Sequence, residues 1–289
     1  MCDEFIHQGL VEDARLSRRA FGLLVAATAG TASAAAGMVP DAVLERDVVV
    51  KTSDGSCDAV LFHPTAKGRW PGVLIWPDIM GLRSAFREMG RGLAGEGYVV
   101  LVPNPFYRSK HAPVIEGSFD FSDPAQRSQL FGYRGAITDE GAARDAQAYI
   151  AFLDAQPQTD KTRMAGVQGY CMGGELSFRT AAAVPARIAA VGSFHGGNGL
   201  VADKPNSPHL LIPETRATYL VAQAQNDDAQ KPSTKEALRA AFAAVKRSAT
   251  VEVYPANHGW CVPGGQAYDQ AQAERAWTAL VELYRSALV

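Results

Sequence analysis

The sequence predicts a mainly parallel, doubly wound α/β sheet with helices on both faces, built as a single domain. The first observation is the alternation of short apolar runs with longer segments of helical periodicity, which is typical of repeated β-α units. The second is the composition of the 289 residues, of which 47% are hydrophobic and 20% charged, as in globular proteins. A chain of this size buries a large core without needing disulfides or metals.

The first predicted elements follow from local patterns. Two apolar segments at 43–51 and 57–63, joined by Ser-Asp-Gly, predict two strands connected by a turn. The continuous apolar runs at 72–76 and 98–102 predict strands that are buried on both faces. Apolar residues at helical spacing predict a helix between them, at 84–95.

The remaining elements repeat this alternation. Further helices are predicted at 139–155, 175–184, 235–246 and 266–288, and further strands at 163–168, 188–194, 219–223 and 251–254. The segment 109–135 is rich in Pro, Ser and Asp and is predicted to be irregular, covering a site at the edge of the sheet. Such sheets carry their chemistry beyond the carboxyl ends of the strands.

Residues 1–36 have the features of an export signal that precedes a domain at 37–289. Arg18 and Arg19 stand before Phe21 and a run of small and apolar residues. A basic segment followed by an apolar one is typical of a secretory signal, and paired arginines resemble the twin-arginine class. We therefore expect the twin-arginine export machinery as a partner and a periplasmic location. The alternative is an Ala-rich amphipathic helix on a cytoplasmic protein.

Charge and cysteine usage exclude several classes of protein. The net charge of −2 gives no field for nucleic acid. The chain has no stretch of 18 or more strongly apolar residues that is free of both charge and glycine, so we expect no stable membrane span. Its four cysteines lack paired C-x-x-C spacing, which argues against structural zinc, and no metal or organic cofactor is expected. Export would permit a disulfide, with Cys57 and Cys261 as the plausible pair.

Cys171 lies in the run GYCMGG (169–174), between a predicted strand and a predicted helix. G-x-C-x-G is the nucleophile-elbow pattern with sulfur in place of the serine oxygen. The glycines allow a strained turn and a close approach of the flanking backbones. The N-terminus of the following helix favours a thiolate and stabilises an oxyanion. The alternative is a buried structural cysteine beside a Gly-rich turn.

Two more strand ends carry candidate catalytic groups. Asp227 follows the strand at 219–223 and can orient an imidazole. His258 follows the strand at 251–254, and the chain order of nucleophile, acid and histidine is typical of α/β-hydrolases. His195 also follows a strand, but it precedes the acid in the chain, so we predict that it forms part of the pocket wall.

These motifs resemble the dienelactone hydrolase family of α/β-hydrolases. The resemblance spans about residues 43–288 and is carried by WPDIMG (76–81), GYCMGG (169–174), NDD (226–228), YPANHGW (254–260) and the tail 262–277. It implies that Cys171 is the nucleophile, His258 the base and Asp227 its orienting acid. It also implies an oxyanion hole formed by the backbone N–H groups of Ile79 and Met172.

The resemblance extends to the substrate pocket, with two departures from the family pattern. We expect four side chains around the substrate: Asp78, Arg108, His195 and Trp260. Arg108 matches a family arginine that binds the substrate carboxylate. Family enzymes acting on dienelactone carry glutamate in place of Asp78, which leaves open whether this shorter side chain activates Cys171. A second family arginine is replaced by Val262 or Pro263.

The resulting prediction is a hydrolase that cleaves a small carboxylic ester or lactone through a Cys-His-Asp triad and a thioester acyl-enzyme. The alternative is a catalytically silent binding protein that keeps the α/β-hydrolase fold. Turnover of a short-chain nitrophenyl ester, abolished by iodoacetamide, distinguishes the two. A thiol redox enzyme is a third possibility, but the chain lacks a resolving C-x-x-C partner.

Overall fold

The computed structural model describes residues 42–117 and 119–289, which form one sheet with helices on both of its faces. The strands are Val43–Thr52 (β1), Gly55–Pro64 (β2), Gly72–Trp76 (β3), Val99–Pro103 (β4), Ala165–Tyr170 (β5), Ile188–Phe194 (β6), Thr218–Ala224 (β7) and Ala249–Tyr254 (β8). The helices are Ser84–Gly95 (α1), Pro124–Gly135 (α2), Asp139–Asp154 (α3), Met172–Ala183 (α4), Gln225–Gln230 (α5), Ser233–Ala244 (α6) and Gln270–Ala287 (α7). The predicted export signal at 1–36 lies outside the described residues and stays a prediction.

The sheet order brings the predicted reactive segments to one edge. The strands are arranged β1-β2-β4-β3-β5-β6-β7-β8. The pairs β1–β2 and β2–β4 are antiparallel, and every other neighbouring pair is parallel. Trp76 lies opposite Gly169, and Tyr170 lies opposite Phe194, so β3, β5 and β6 end side by side. The predicted fold class is therefore confirmed.

The hydrophobic core lies on both faces of the sheet because successive side chains of a strand point in opposite directions. In β3, Leu74 and Trp76 pack in one cluster, with residues of α3, α4 and α6. Val73 and Ile75 pack in the other cluster, with residues of α1 and α7. The continuous apolar run of β3 is thus explained, since all five of its residues are buried.

The structure corrects the prediction for the segment 109–135, whose second half is the helix α2. Asp123 caps this helix by accepting hydrogen bonds from the backbone N–H groups of Ala125 and Gln126, and Pro124 occupies its first turn. Only Leu130 of α2 is buried, so the helix lacks the apolar periodicity from which helices are predicted. The cap and the N-terminal proline were the available signals.

Other differences concern element ends and short helical turns. Helix α4 begins at Met172, three residues before the predicted start. The prediction began too late because the first turn of the helix contains the glycines of the elbow, and glycine is a poor helix former. The short helix α5 and two 3₁₀ segments, Gly197–Val201 and Pro208–Glu214, were not predicted. Among the described residues, no helix is both long and apolar enough to cross a membrane.

Cys57 and Cys261 do not form the disulfide that export would permit. Both are free and buried, and they belong to the two separate core clusters. Burial raises the pKa of each thiol above its ordinary value, which makes both cysteines poor nucleophiles near neutral pH.

Candidate active site

The turn between β5 and α4 holds Cys171 in a strained backbone conformation. Its φ is 53° and its ψ is −120°, a combination that is unfavourable for a residue with a side chain. A Cβ atom on Gly169 would lie 1.8 Å from the carbonyl oxygen of Gly173, and a Cβ on Gly173 would lie 2.4 Å from the carbonyl oxygen of Trp76. The two glycines therefore let the elbow, α4 and the end of β3 meet at van der Waals distance.

Gly169→Ala is expected to destabilise the protein strongly, because its methyl group would occupy the space of a backbone carbonyl that cannot rotate away. The expected loss in the free energy of unfolding is about 4 kcal/mol or more. Gly132→Ala is the matched control, since a Cβ at this position of α2 would contact nothing within 4 Å, and a gain of about 0.5–1 kcal/mol is expected. Urea unfolding of both variants tests this, and similar midpoints for the two would contradict it.

His258 and Asp227 lie together beyond the ends of β8 and β7. The distance from His258 Nδ1 to Asp227 Oδ2 is 2.8 Å. The backbone N–H of His258 donates to Asn226 Oδ1 at 2.8 Å, and the backbone N–H of Gln225 donates to Ala256. These bonds hold the two loops against each other and fix the ring, so that Nδ1 faces the acid and Nε2 faces away from it.

The far nitrogen of His258 is the one available for proton transfer. Nε2 is buried and forms no hydrogen bond of normal geometry with any described residue. Burial alone lowers the pKa of His258, but the neighbouring Cys171 sulfur and then the Asp227 carboxylate outweigh it and raise this pKa well above its ordinary value. The surroundings therefore favour the imidazolium form of His258.

The predicted oxyanion donors lie on the two segments that flank Cys171. Met172 is the first residue of α4, where a helix leaves its backbone N–H groups free. Ile79 lies after β3 and lines the same pocket as Cys171. Neither backbone N–H donates to an acceptor within residues 42–117 and 119–289. Both groups are therefore free to bind a negatively charged oxygen.

An open pocket of about 450 Å³ surrounds the sulfur. It is lined by Asp78, Ile79, Met80, Arg83, Cys171, His195, His258, Gly259, Val262, Gly265 and Ala267. Asp227 lies behind His258 and does not line the pocket. No cluster of three or more His, Cys, Asp or Glu side chains in the described part of the chain could hold a metal ion.

Asp78 lies in this pocket, but it pairs with Arg83 rather than with Cys171. Arg83 binds both carboxylate oxygens of Asp78, at 2.6 and 2.8 Å, and the backbone N–H of Met80 donates to Oδ1 at 2.9 Å. Asp78 forms no hydrogen bond with the sulfur. Sequence analysis missed Arg83, and its signal was a basic residue five positions after Asp78 in a loop that follows a buried strand.

His195 forms part of the pocket wall and also supports the elbow. Its Nδ1 accepts a hydrogen bond from the backbone N–H of Cys171 at 3.1 Å, and its ring centroid is 4.7 Å from that of His258. Burial, and after it the charge of His258, lowers the pKa of His195 far below its ordinary value. His195 is thus a neutral imidazole that carries its proton on Nε2.

The structure differs from the prediction for Arg108, which does not line the pocket. Its guanidinium binds both carboxylate oxygens of Asp145, at 2.7 and 2.9 Å, and it binds Asp54 at 2.6 Å. Asp145 is almost completely buried, and a buried carboxylate requires a paired cation. Arg108 therefore holds α3 against the turn between β1 and β2 and is not free for a substrate carboxylate.

Trp260 also lies away from the predicted position around the substrate. It is fully buried and stacks on Tyr254, with ring centroids 5.3 Å apart. Its ring packs against that of His195, at a centroid distance of 5.3 Å. Trp260 therefore packs behind the pocket wall.

The topology of the sheet is that of α/β-hydrolases, and the candidate nucleophile, acid and histidine follow β5, β7 and β8 in the chain order of that class. The fold and the site thus define an α/β-hydrolase.

Comparisons with known proteins narrow this class to a family. The dienelactone hydrolase family model matches residues 57–288. A carboxymethylenebutenolidase of Pseudomonas sp. strain P51 is 37% identical over 118 residues, which are 40% of this chain and 47% of that relative. A Salmonella typhi protein, provisionally named as a carboxymethylenebutenolidase, is 26% identical over 85% of this chain and 88% of its own length.

A solved structure from Klebsiella pneumoniae, provisionally assigned as a dienelactone hydrolase, is similar to the whole fold. Its TM-score is 0.73 at 22% identity, and the match covers 85% of this chain and 99% of that one.

The chain belongs to the dienelactone hydrolase family. It is accordingly a hydrolase of carboxylic esters or lactones.

Proposed function

We propose that the protein cleaves its ester or lactone through Cys171, His258 and Asp227, with a thioester as the acyl-enzyme. The observation that carries this proposal is the 2.8 Å contact between His258 Nδ1 and Asp227, which leaves Nε2 as the proton acceptor for the cysteine. The strained elbow exposes the sulfur to the pocket. The N-terminus of α4 adds a favourable field for a thiolate.

In the first half of the reaction, His258 Nε2 holds the thiol proton and the thiolate attacks the carbonyl carbon. A carbon–sulfur bond forms, and the carbonyl oxygen takes the negative charge beside the N–H groups of Ile79 and Met172. Each such donor contributes about 3–4 kcal/mol in related sites. Collapse of this intermediate breaks the carbon–oxygen bond, and the leaving alkoxide takes the proton from His258.

In the second half, water cleaves the thioester. His258 Nε2 removes a proton from the attacking water, and the same two backbone donors bind the oxyanion. The carbon–sulfur bond then breaks, the acid leaves, and the thiolate and imidazolium form again. Asp227 holds the ring in the required tautomer throughout and stabilises its charged form.

The test is hydrolysis of a short-chain nitrophenyl ester followed by trapping of the intermediate. We expect turnover that iodoacetamide abolishes, with one label on the peptide containing Cys171. Rapid acid quenching during turnover should show the mass of the acyl group on that peptide. Turnover that persists after complete labelling of Cys171 would overturn the proposed mechanism.

A further inference from the structure

The positive charge of Arg83 in the pocket is compensated by the carboxylate of Asp78. Apart from the imidazole groups, Arg83 is the one basic side chain that lines the pocket within the described residues. Its guanidinium makes a bidentate ion pair with Asp78, at 2.6 and 2.8 Å. The exposed fraction of the side chain is 9% for Asp78 and 24% for Arg83, so this pair is poorly screened by solvent.

Displacing Asp78 from Arg83 would be costly. A buried carboxylate that loses its cation keeps the full penalty of desolvation, and the N–H of Met80 would be its one remaining donor. A substrate carboxylate that instead shared Arg83 would lie beside the charge of Asp78, and like charges at short range repel each other. The ion pair of Asp78 and Arg83 therefore offers the substrate no net charge.

Apart from His258 and the two backbone donors, which the proposed reaction itself uses, the pocket lining among the described residues offers a substrate carboxylate no other binding group. Arg108 is bound by Asp54 and Asp145 outside the pocket, and His195 is neutral. The remaining lining is mostly apolar, with Ile79 and Val262 among its residues. An uncharged acyl group loses nothing by entering such a site, whereas a carboxylate would lose its hydration without a replacement.

We propose that the Asp78–Arg83 ion pair sets the substrate class: the pocket accepts neutral esters or lactones and discriminates against acyl groups that carry a carboxylate. This inference rests on the proposed function and names its substrate class. Asp78 is then the specificity-determining residue, because it neutralises the one guanidinium that lines the pocket in the part of the chain that the structure describes.

Asp78→Asn tests the inference because it frees the charge of Arg83 while keeping the oxygen that binds the N–H of Met80. The substrates are two nitrophenyl esters of matched length, whose acyl chains end in a methyl ester or in a carboxylate. We expect the wild type to prefer the neutral ester by about tenfold or more in kcat/KM. Asp78→Asn should shift this ratio toward the carboxylate ester by about 10- to 100-fold.

The double variant Asp78→Asn/Arg83→Met is the matched control, since it removes both charges and leaves none unpaired. Its ratio should return to within about threefold of the wild-type ratio if the two residues act only as a pair. A wild type that prefers the carboxylate ester would overturn the inference, because a substrate anion would then share Arg83 with Asp78. An unchanged ratio in Asp78→Asn would overturn it too. If Asp78→Asn does not fold, the wild-type preference decides.

A second readout does not depend on turnover. Iodoacetamide and iodoacetate differ mainly in charge. The rate at which each reagent labels the peptide containing Cys171 is measured and divided by the rate at which it labels glutathione, which corrects for the intrinsic reactivity of the reagent. Asp78→Asn should raise the iodoacetate-to-iodoacetamide ratio by about tenfold or more, and the double variant should reverse this. A shifted labelling ratio without ester turnover would contradict the proposed function alone. Turnover with an unshifted ratio would contradict the specificity inference alone.

Discussion

Cys171→Ala should abolish ester hydrolysis while leaving the fold intact. The sulfur is the only nucleophile at the elbow, and alanine offers no atom that can form the acyl-enzyme. We expect kcat to fall by at least about 10⁴-fold, toward the rate supported by the oxyanion donors and binding alone. Alanine is smaller than cysteine and faces the pocket, so the melting temperature should stay close to that of the wild type. Stopped assays with a nitrophenyl ester, together with thermal unfolding, measure both quantities.

Cys57→Ala is the matched control for the loss of a thiol. Cys57 is buried in β2, where its sulfur contacts the Tyr149 hydroxyl at 3.2 Å, and it does not line the pocket. This variant should lose stability by about 1–2 kcal/mol through a small cavity, but its kcat should be unchanged. Wild-type turnover by Cys171→Ala would remove the cysteine from the mechanism.

Asp227→Asn has the second largest expected effect, a fall in kcat of about 10³- to 10⁴-fold. The amide no longer fixes the tautomer of His258 and no longer stabilises its charged form. In the proposed mechanism Asp227 acts through the histidine and is a positioning residue, so its test needs a pH profile. Asp227 contributes to the raised pKa of His258, so the variant should lower this pKa. The high-pH limb of the Cys171 alkylation profile, where the imidazolium loses its proton, should then move to lower pH.

The neighbouring Asp228→Asn removes the same charge one residue later and serves as the control. Asp228 pairs with Lys235 at 2.6 Å and does not contact His258. Its exchange should cost at most about 1 kcal/mol of stability and leave both kcat and the pH profile unchanged. Equal losses of activity in the two variants would mean that activity depends on the integrity of the loop rather than on the contact between Asp227 and His258.

Local patterns were enough to predict most of the fold. The runs at 72–76 and 188–194 coincide with β3 and β6, because a strand covered on both faces needs an unbroken apolar sequence. Helix α1 was predicted at its observed limits, since only one of its faces is buried. Helix α2 was missed because it buries a single residue, which leaves no periodic signal.

The candidate triad could be located because each member follows a strand and because the chain order is diagnostic. What the sequence could not give was the partner of each charged side chain. Asp78 and Arg83 are five positions apart, but their bidentate contact depends on the path of the loop after β3. Arg108 matches a family motif, yet its partners Asp54 and Asp145 come from a turn and a helix distant in sequence.

By itself, the sequence determined the class of fold, the family and the positions of the candidate nucleophile, acid and histidine, because these depend on local periodicity and on a short motif with a strict backbone requirement. Only the tertiary structure decided which cations are free. Ion pairing depends on distances of a few ångströms between groups that are remote in the chain. In the folded chain, Arg108 pairs with a buried carboxylate and Arg83 pairs with Asp78, so none of the described residues gives the pocket an unpaired guanidinium.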